Sequence, residues 1–285
     1  MVAESLKKKI TIRTGYNSTI TTKEAIKYLG IWIERDIKMI KHLNEAVIAG
    51  EKRCMMLGKL MPNFGGPNST TRRVLGSIIY SQLLYGAPVW CNMMNWQKYR
   101  TIMDKASRKV TLRICSGYRT MSTIAAEVIS GCPPFRLKAE EAVNVFNGMD
   151  KAIAKEMAFA KWQERWVNEN QDKASWTRRL IPDVRRWCER RHGEVNFFLT
   201  QFLSGYGNFG SYLKRFKLKD TDRCSYCNEE DTPEHIVFRC QRFNAERESS
   251  IGVVEPEGLA DFILSNPQNW SRMDNLVRVV MMTKV

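Results

Sequence analysis

Cys224-Ser-Tyr-Cys227 opens a segment that runs through Asn228 and Pro233 to His235 and closes on Cys240, with the spacing C-x2-C-x7-H-x4-C. Two cysteines separated by two residues can approach one ion from a tight turn. A histidine and a third cysteine can then complete a tetrahedron from a second, more helical segment. Asn228 favours the turn, and Pro233 can open the short helix that carries His235 and Cys240. Three thiolates and an imidazole, without a carboxylate, suit one structural Zn2+ in a closed shell rather than a hydrolytic centre. The competing reading is four unpaired residues that fall near one another by chance. It is disfavoured because the chain of 285 residues holds only 3 histidines and 8 cysteines.

Outward from this segment, composition narrows the class. Hydrophobic residues make up 44% and charged residues 26%, as in ordinary globular proteins. The charge is not ordinary: 45 Lys+Arg against 30 Asp+Glu give +15. Such a balance suits a polyanion, nucleic acid before an acidic membrane surface. Cys54, Cys91, Cys115, Cys132 and Cys188 are scattered and odd in number. That pattern fits a reducing compartment, so the expected location is nuclear and cytoplasmic. No apolar run reaches the roughly 18 residues of a spanning helix, and Met1-Val-Ala-Glu-Ser lacks a signal-peptide core, so no membrane partner is expected. Lys7-Lys8-Lys9 reads as a solvated strand edge.

The periodicity predicts a mainly α fold with short N-terminal β-strands. Ile10 and Ile12 alternate with polar neighbours, Gly15-Tyr-Asn17 supplies a turn, and Tyr28-Leu-Gly-Ile-Trp-Ile33 sets Leu29, Ile31 and Ile33 on one face. Three such strands are too few for a core of their own. From about residue 37, Ile37, Ile40, Leu43, Val47, Cys54, Leu57 and Leu60 recur near a 3.6 period until Pro62 and Gly65-Gly-Pro67. Ser69 or Thr70 can cap a second helix carrying Val74, Ile78 and Leu84. A third, over residues 96–115, carries Lys98, Arg100, Lys105, Arg108, Lys109 and Arg113 against Asp104 alone, a net +5. So lopsided a helix fits a phosphate backbone as well as a solvated face. After Gly131-Cys-Pro-Pro134 one long amphipathic run extends to about residue 170.

Residues 173–223 hold twelve basic residues and five acidic ones. Arg178-Arg179, Arg185-Arg186, Arg190-Arg191 and Lys214-Arg215 come in pairs among Trp176, Trp187, Phe197, Phe198, Phe202, Tyr206, Phe209, Tyr212 and Phe216. Arginine forks grip phosphate and aromatics can stack on bases, yet large apolar residues at helical spacing are more often core. Gly205-Tyr-Gly207 and Gly210 read as a flexible loop. Residues 1–223 carry +19 and residues 224–285 carry −4, so attraction for a polyanion sits upstream of the metal segment. Tyr226 and Phe238 are expected to wrap the metal rather than stack on bases. Two further helices are expected over residues 259–264 and 270–282.

Several chemistries are absent. There is no Asp-Asp pair for a two-metal polymerase or nuclease centre. Asp220 and Asp222 read as turn or capping residues. His42 and His192 lack a nucleophile partner, and no glycine loop cradles phosphate. By itself the chain is not expected to be an enzyme.

These motifs together resemble the C-terminal part of the reverse transcriptase polyprotein of non-LTR retrotransposons, the jockey- and I-factor-like superfamily. Tyr28-Leu-Gly-Ile-Trp-Ile33 resembles the last strand of the palm, Leu83-Leu-Tyr-Gly-Ala-Pro-Val-Trp90 the thumb signature, and Gly131-Cys-Pro-Pro134 the break after it. Trp162-Gln-x-x-Trp166, Thr177-x-x-Leu-Ile-Pro182 and Leu203-Ser-Gly-Tyr-Gly207 are similar to the linker before the family's CCHC zinc knuckle, and Cys224, Cys227, His235 and Cys240 match that knuckle. The family more often has Thr and His where this chain has Ser204 and Tyr206. The resemblance implies a palm edge over residues 1–35, a helical thumb over 36–170, a basic linker over 171–223, the knuckle over 224–243 and C-terminal helices over 244–285. It also implies one structural Zn2+, with RNA and DNA as partners: template RNA with primer DNA, and target DNA in target-primed reverse transcription. The parent protein would be an RNA-directed DNA polymerase whose catalytic aspartates lie upstream of the first strand.

The residues expected to contact phosphate are Arg108, Lys109, Arg113, Arg178, Arg179, Arg185, Arg186, Arg190, Arg191, Lys214, Arg215, Lys217 and Lys219. Two other readings stay open on sequence alone. One is a truncated gene for an active reverse transcriptase; the other is a host-adopted, zinc-stabilised protein-interaction module.

Overall fold

Alternating apolar residues at the start of the chain make two separate hairpins. The computed structural model describes residues 10–13, 18–169 and 172–284, so Lys7-Lys8-Lys9 and the expected turn at Gly15-Tyr-Asn17 lie outside the described residues. Strand β1 (Thr11–Arg13) pairs antiparallel with β2 (Thr19–Thr21), and β3 (Ala25–Tyr28) with β4 (Ile31–Glu34). The second hairpin closes Tyr28 onto Ile31 through Leu29 and Gly30, both at positive φ (44° and 85°). A two-residue turn with both central residues in that region follows the twist of its strands. Leu29 is therefore a turn residue, 74% exposed, and not part of the face of Ile31 and Ile33. Gly30 is needed at its position, where a Cβ would stand 3.0 Å from the Tyr85 ring, and the Tyr85 hydroxyl donates to the Leu29 carbonyl at 2.7 Å.

A first helical group follows: α1 (Ile40–Gly58), α2 (Ser69–Leu83), α3 (Ala87–Trp90) and α4 (Gln97–Ile114). Asn68 caps α2, accepting from the Thr71 N–H at 2.9 Å. Ser69 and Thr70, expected at that cap, instead both donate their hydroxyls to the Glu194 carboxylate. Asn68 wins because its short amide, held extended after Pro67, reaches the free N–H groups of the first turn. Leu43, Ile79, Leu83, Trp90, Met103, Val110 and Ile114 are buried together, with Phe135 stacked on Trp90. Helices α2 and α4 cross at Gly76, where a Cβ would meet Ile114 Cδ1 at 2.7 Å.

The second group comprises α5 (Thr123–Ser130), α6 (Phe135–Phe146), α7 (Lys151–Asn168), α8 (Ser175–Leu180), α9 (Val184–Cys188), α10 (Phe197–Ser204), α11 (Gly210–Arg215), α12 (Asn244–Ser250), α13 (Leu259–Ser265) and α14 (Pro267–Thr283). The long run expected up to residue 170 is two helices, because Asp150 restarts the chain as a cap, accepting from the N–H groups of Ala152 and Ile153. Most linker aromatics belong to the core or pack on it, as expected: Trp187, Phe202 and Phe209 are buried in it, and Trp176, Phe198, Tyr206 and Tyr212 are half-buried against it. One hydrophobic core extends from Cys115 to Met281 and takes in Cys224, Ile236, Val237, Phe238 and Cys240. The expected flexible glycine loop is ordered at both ends: Gly205 terminates α10 in a left-handed conformation, and Gly210 is the first residue of α11.

Glu127 on α5 is an exception inside this core. Its side chain is buried and, among the described residues, Oε2 has no hydrogen-bond partner. Burial raises its pKa to about 8, only partly countered by Arg165. The folded state therefore binds a proton that the unfolded chain releases above the ordinary carboxylate range, so stability falls as pH rises from about 4.5 to about 8. Glu127→Gln is expected to flatten that slope and to melt above the unsubstituted chain at pH 8 but not at pH 4. Thermal melts of both proteins across that range check it; parallel curves would contradict the assignment.

Candidate metal centre and basic surface

The metal segment is built from two short pieces. In the first, residues Arg223 and Glu230 form an antiparallel bridge, the Cys224 N–H donates to the Glu229 carbonyl at 2.7 Å, and the Asn228 N–H donates to the Cys224 carbonyl at 3.0 Å. Asn228 takes the left-handed conformation (φ 56°) that lets this turn close, as its residue type suggests. In the second, Pro233 opens a helical turn and Thr232 Oγ1 accepts from the His235 N–H at 3.0 Å. Residues His235–Arg239 then form a π-turn, in which the Cys240 N–H donates to the His235 carbonyl at 2.6 Å. A turn closed from i to i+5 stacks residue 240 over residue 235, whereas an α-turn would carry it to the other side. The x4 spacing between the last two ligands contains this requirement.

The result is a cluster. The four ligand atoms of Cys224, Cys227, His235 and Cys240 lie within 4.8 Å of one another. Sγ–Sγ distances are 3.9 Å for Cys224–Cys240, 3.7 Å for Cys224–Cys227 and 3.7 Å for Cys227–Cys240. Disulfide bonds need about 2.05 Å, whereas a tetrahedron with Zn–S of about 2.3 Å has an edge of about 3.8 Å. Nε2 of His235 stands 3.0 Å from Cys227 Sγ. The set fits a tetrahedral soft-to-borderline cation. Burial pushes the Cys240 thiol up, as do the neighbouring Cys227 and Cys224. Burial also opposes ionisation of Cys224, but the N–H groups of Cys227 and Tyr226 together with the His235 and Cys227 side chains outweigh it and lower its pKa. A cation is what would bring Cys240 to thiolate at neutral pH.

Around the cluster, Phe238 is buried against Trp176 and Phe202. Tyr226 does not wrap the metal: it is 61% exposed, because the tight turn between the two cysteines points it outward. Asp231, 4% exposed, pairs with Lys284 just beyond α14, which ties the end of the chain to the metal segment.

The expected phosphate contacts are mostly engaged within the chain. Arg178 donates to the carbonyls of Trp166, Lys173 and Glu169, closing the end of α7. Arg179 bridges Glu234 and Glu257, Arg185 pairs with Glu156, Arg186 with Asp261, Lys214 with Asp222 and Lys109 with Glu51. Arg190 lies between the rings of Trp187 and Trp270, and burial lowers its pKa to about 10. Arg108 donates to Thr123 Oγ1 and to the carbonyls of Arg119 and Met121. Arg215 packs on Tyr206 and Phe216. Among the described residues Arg113, Arg191, Lys217 and Lys219 form no ion pair. The structure therefore does not gather the linker arginines into one open strip. His42 and His192 face the backbone carbonyls of Tyr85 and Ile263.

Comparison with known proteins gives this arrangement its context. The chain is 23% identical over 245 residues to a Retrovirus-related Pol polyprotein from type-1 retrotransposable element R1 2 of Nasonia vitripennis, covering 78% of this chain and 59% of that protein. It is 25% identical over 243 residues to a putative 115 kDa protein in type-1 retrotransposable element R1DM of Drosophila melanogaster, covering 75% of this chain and 23% of the other. A third relative, the R1 4 Pol polyprotein of Nasonia vitripennis, is 22% identical over 92% of this chain. The chain is homologous to the Pol polyproteins of R1 non-LTR retrotransposons. It spans 59% of the length of the first R1 relative and 23% of the second. No family profile and no solved structure matches it. Among the described residues no single helix is long and apolar enough to cross a membrane.

Proposed function

We propose that the chain is the nucleic-acid-binding portion of an R1-type retrotransposon reverse transcriptase. Residues 1–35 correspond to the palm edge, 36–170 to the thumb, 171–223 to the linker, 224–243 to a zinc knuckle and 244–285 to helices that brace it. In this reading the thumb and linker hold template RNA with primer DNA, and target DNA, during target-primed reverse transcription. The polymerase centre belongs to the parent protein, and no catalytic residue is assigned to this chain. The observation that carries the reading is homology to R1 Pol polyproteins combined with a charge of +19 confined to residues 1–223.

Cys224, Cys227, His235 and Cys240 would hold one Zn2+, which supplies a structural cross-link. With all four positions taken by protein atoms the ion has no place for substrate. The acidic residues Glu229, Glu230 and Glu234 around it make it a poor phosphate surface, which agrees with a stapling role.

The test is the salt dependence of binding to a fluorescent RNA–DNA primer-template. The logarithm of the association constant is expected to fall steeply and linearly with the logarithm of salt, by about 0.7 to 0.9 for each phosphate contact. Absence of binding at low salt would remove the nucleic-acid role and leave a protein-interaction module as the better reading.

A further inference from the structure

One open cleft, of about 540 Å³, lies between α1 and α4 and is closed at one end by the loop of residues 117–119. Its lining includes Lys109 and Arg113 from α4, Arg119 and Tyr118 from the loop, and Met55 from α1. All three cations are exposed. The acidic residue on the lining, Glu51, is held by Lys109 at 2.6 Å, which leaves Arg113 and Arg119 without an ion pair among the described residues. These two face one shared space, whereas Arg179, Arg185 and Arg186 are each tied to a carboxylate.

The loop is built to hold its shape. Helix α4 ends with Ser116 in the left-handed region (φ 57°) and the Gly117 N–H donating to the Leu112 carbonyl at 2.9 Å. Arg108 then pins the loop from beneath through the Arg119 and Met121 carbonyls, both at 2.6 Å. Tyr118, half-buried, leans on Phe197 and Tyr212, with ring centroids at 5.7 and 6.3 Å. One flat ring is thus fixed beside two guanidinium groups and an exposed methionine. Ordering was completed on folding, so little remains to be lost on binding.

Phosphate groups and an unpaired base are the chemistry that fits. Guanidinium groups take phosphate oxygens in pairs, and a fixed aromatic takes the face of any base. The volume is that of a small-ligand site, far too narrow for a duplex. We propose that the α1–α4 cleft holds an unpaired nucleic-acid segment, its phosphates on Arg113 and Arg119 and a base against Tyr118. This rests on the nucleic-acid reading above and assigns it a site and a strand state.

The experiment compares binding of a short oligouridine and of a hairpin duplex with equal phosphate number, across salt, using the full chain. Arg113→Ala with Arg119→Ala is expected to reduce the oligouridine salt slope by about 1.4, at about 0.7 for each single-strand contact. Tyr118→Leu is expected to weaken oligouridine about 5- to 150-fold, and Tyr118→Phe to retain it. Arg272→Ala with Arg278→Ala, an exposed pair of equal charge on α14 and outside the cleft, should leave the slope unchanged. Unaltered oligouridine binding by the Arg113/Arg119 variant, while the unsubstituted chain binds, would overturn the site and leave the functional reading standing. Equal losses for duplex and oligouridine would overturn the single-strand assignment. If the unsubstituted chain binds neither probe, the functional reading fails and the cleft assignment with it.

Discussion

Replacing Cys240 with serine is expected to lower the melting temperature by about 10 °C or more, and chelation of the metal to do the same to the unsubstituted chain. Structural Zn2+ sites in small peptides contribute about 10–16 kcal/mol of apparent binding free energy, much of it coupled to folding. Here the site is not a detachable appendage. Cys240 is fully buried, and Ile236, Val237 and Phe238 between the ligands belong to the core that runs to α14. If about 5 kcal/mol of the binding energy is felt by the whole core, the fall is about 10–20 °C at this chain length. Serine keeps the volume but removes a thiolate, so the effect reports the ion and not a cavity. Cys54→Ser, a buried cysteine far from the cluster in sequence, provides a control for the loss of a buried thiol. Melting curves with bound zinc measured in parallel decide it. An unchanged melting temperature in a metal-free protein would mean that packing alone holds the four residues.

Arg72→Met is expected to cost about 3–5 kcal/mol, the second largest single effect. Arg72 is 2% exposed and has no carboxylate partner among the described residues; its guanidinium donates to the carbonyls of Pro67, Met61, Pro62 and Arg113. Those carbonyls lie just past the end of α1, before α2, and at the end of α4. A cation is favoured there because helix C-termini present unsatisfied carbonyls and a partial negative charge. Methionine fills similar space but leaves several carbonyls unpaired, each hydrogen bond to a charged group being worth about 1.5–3 kcal/mol, with incomplete additivity. Denaturant unfolding of the two proteins gives the difference. A loss below about 1 kcal/mol would mean that water replaces the guanidinium at those carbonyls.

The candidate metal set was legible because its residue types are scarce: few histidines, and cysteines at a spacing that suits one shared ion. The helical groups were legible from periodicity, since burial of one face dictates it. The break between α6 and α7 was also written in the sequence, in Gly148 and Asp150, and was overridden by the amphipathic pattern on either side. What could not be read were pairings made by the fold. Arg179 meets Glu234 and Glu257, 55 and 78 residues away, and Arg186 meets Asp261, 75 residues away. Clusters of arginine look alike in sequence whether they face phosphate or a carboxylate from a later helix. For the same reason the cleft at Tyr118 and Arg119 was invisible: neither residue belongs to a basic pair, and only the end of α4 brings them beside Arg113.

The most direct measurement is the primer-template salt titration repeated after zinc removal, at a temperature where the helical signal is retained. The account predicts tight, steeply salt-dependent binding with nearly the same slope in both states, because the cations lie upstream of an acidic metal segment. Binding that disappears with the metal while the helices persist would contradict it, moving the contact surface onto the segment of Cys224, Cys227, His235 and Cys240.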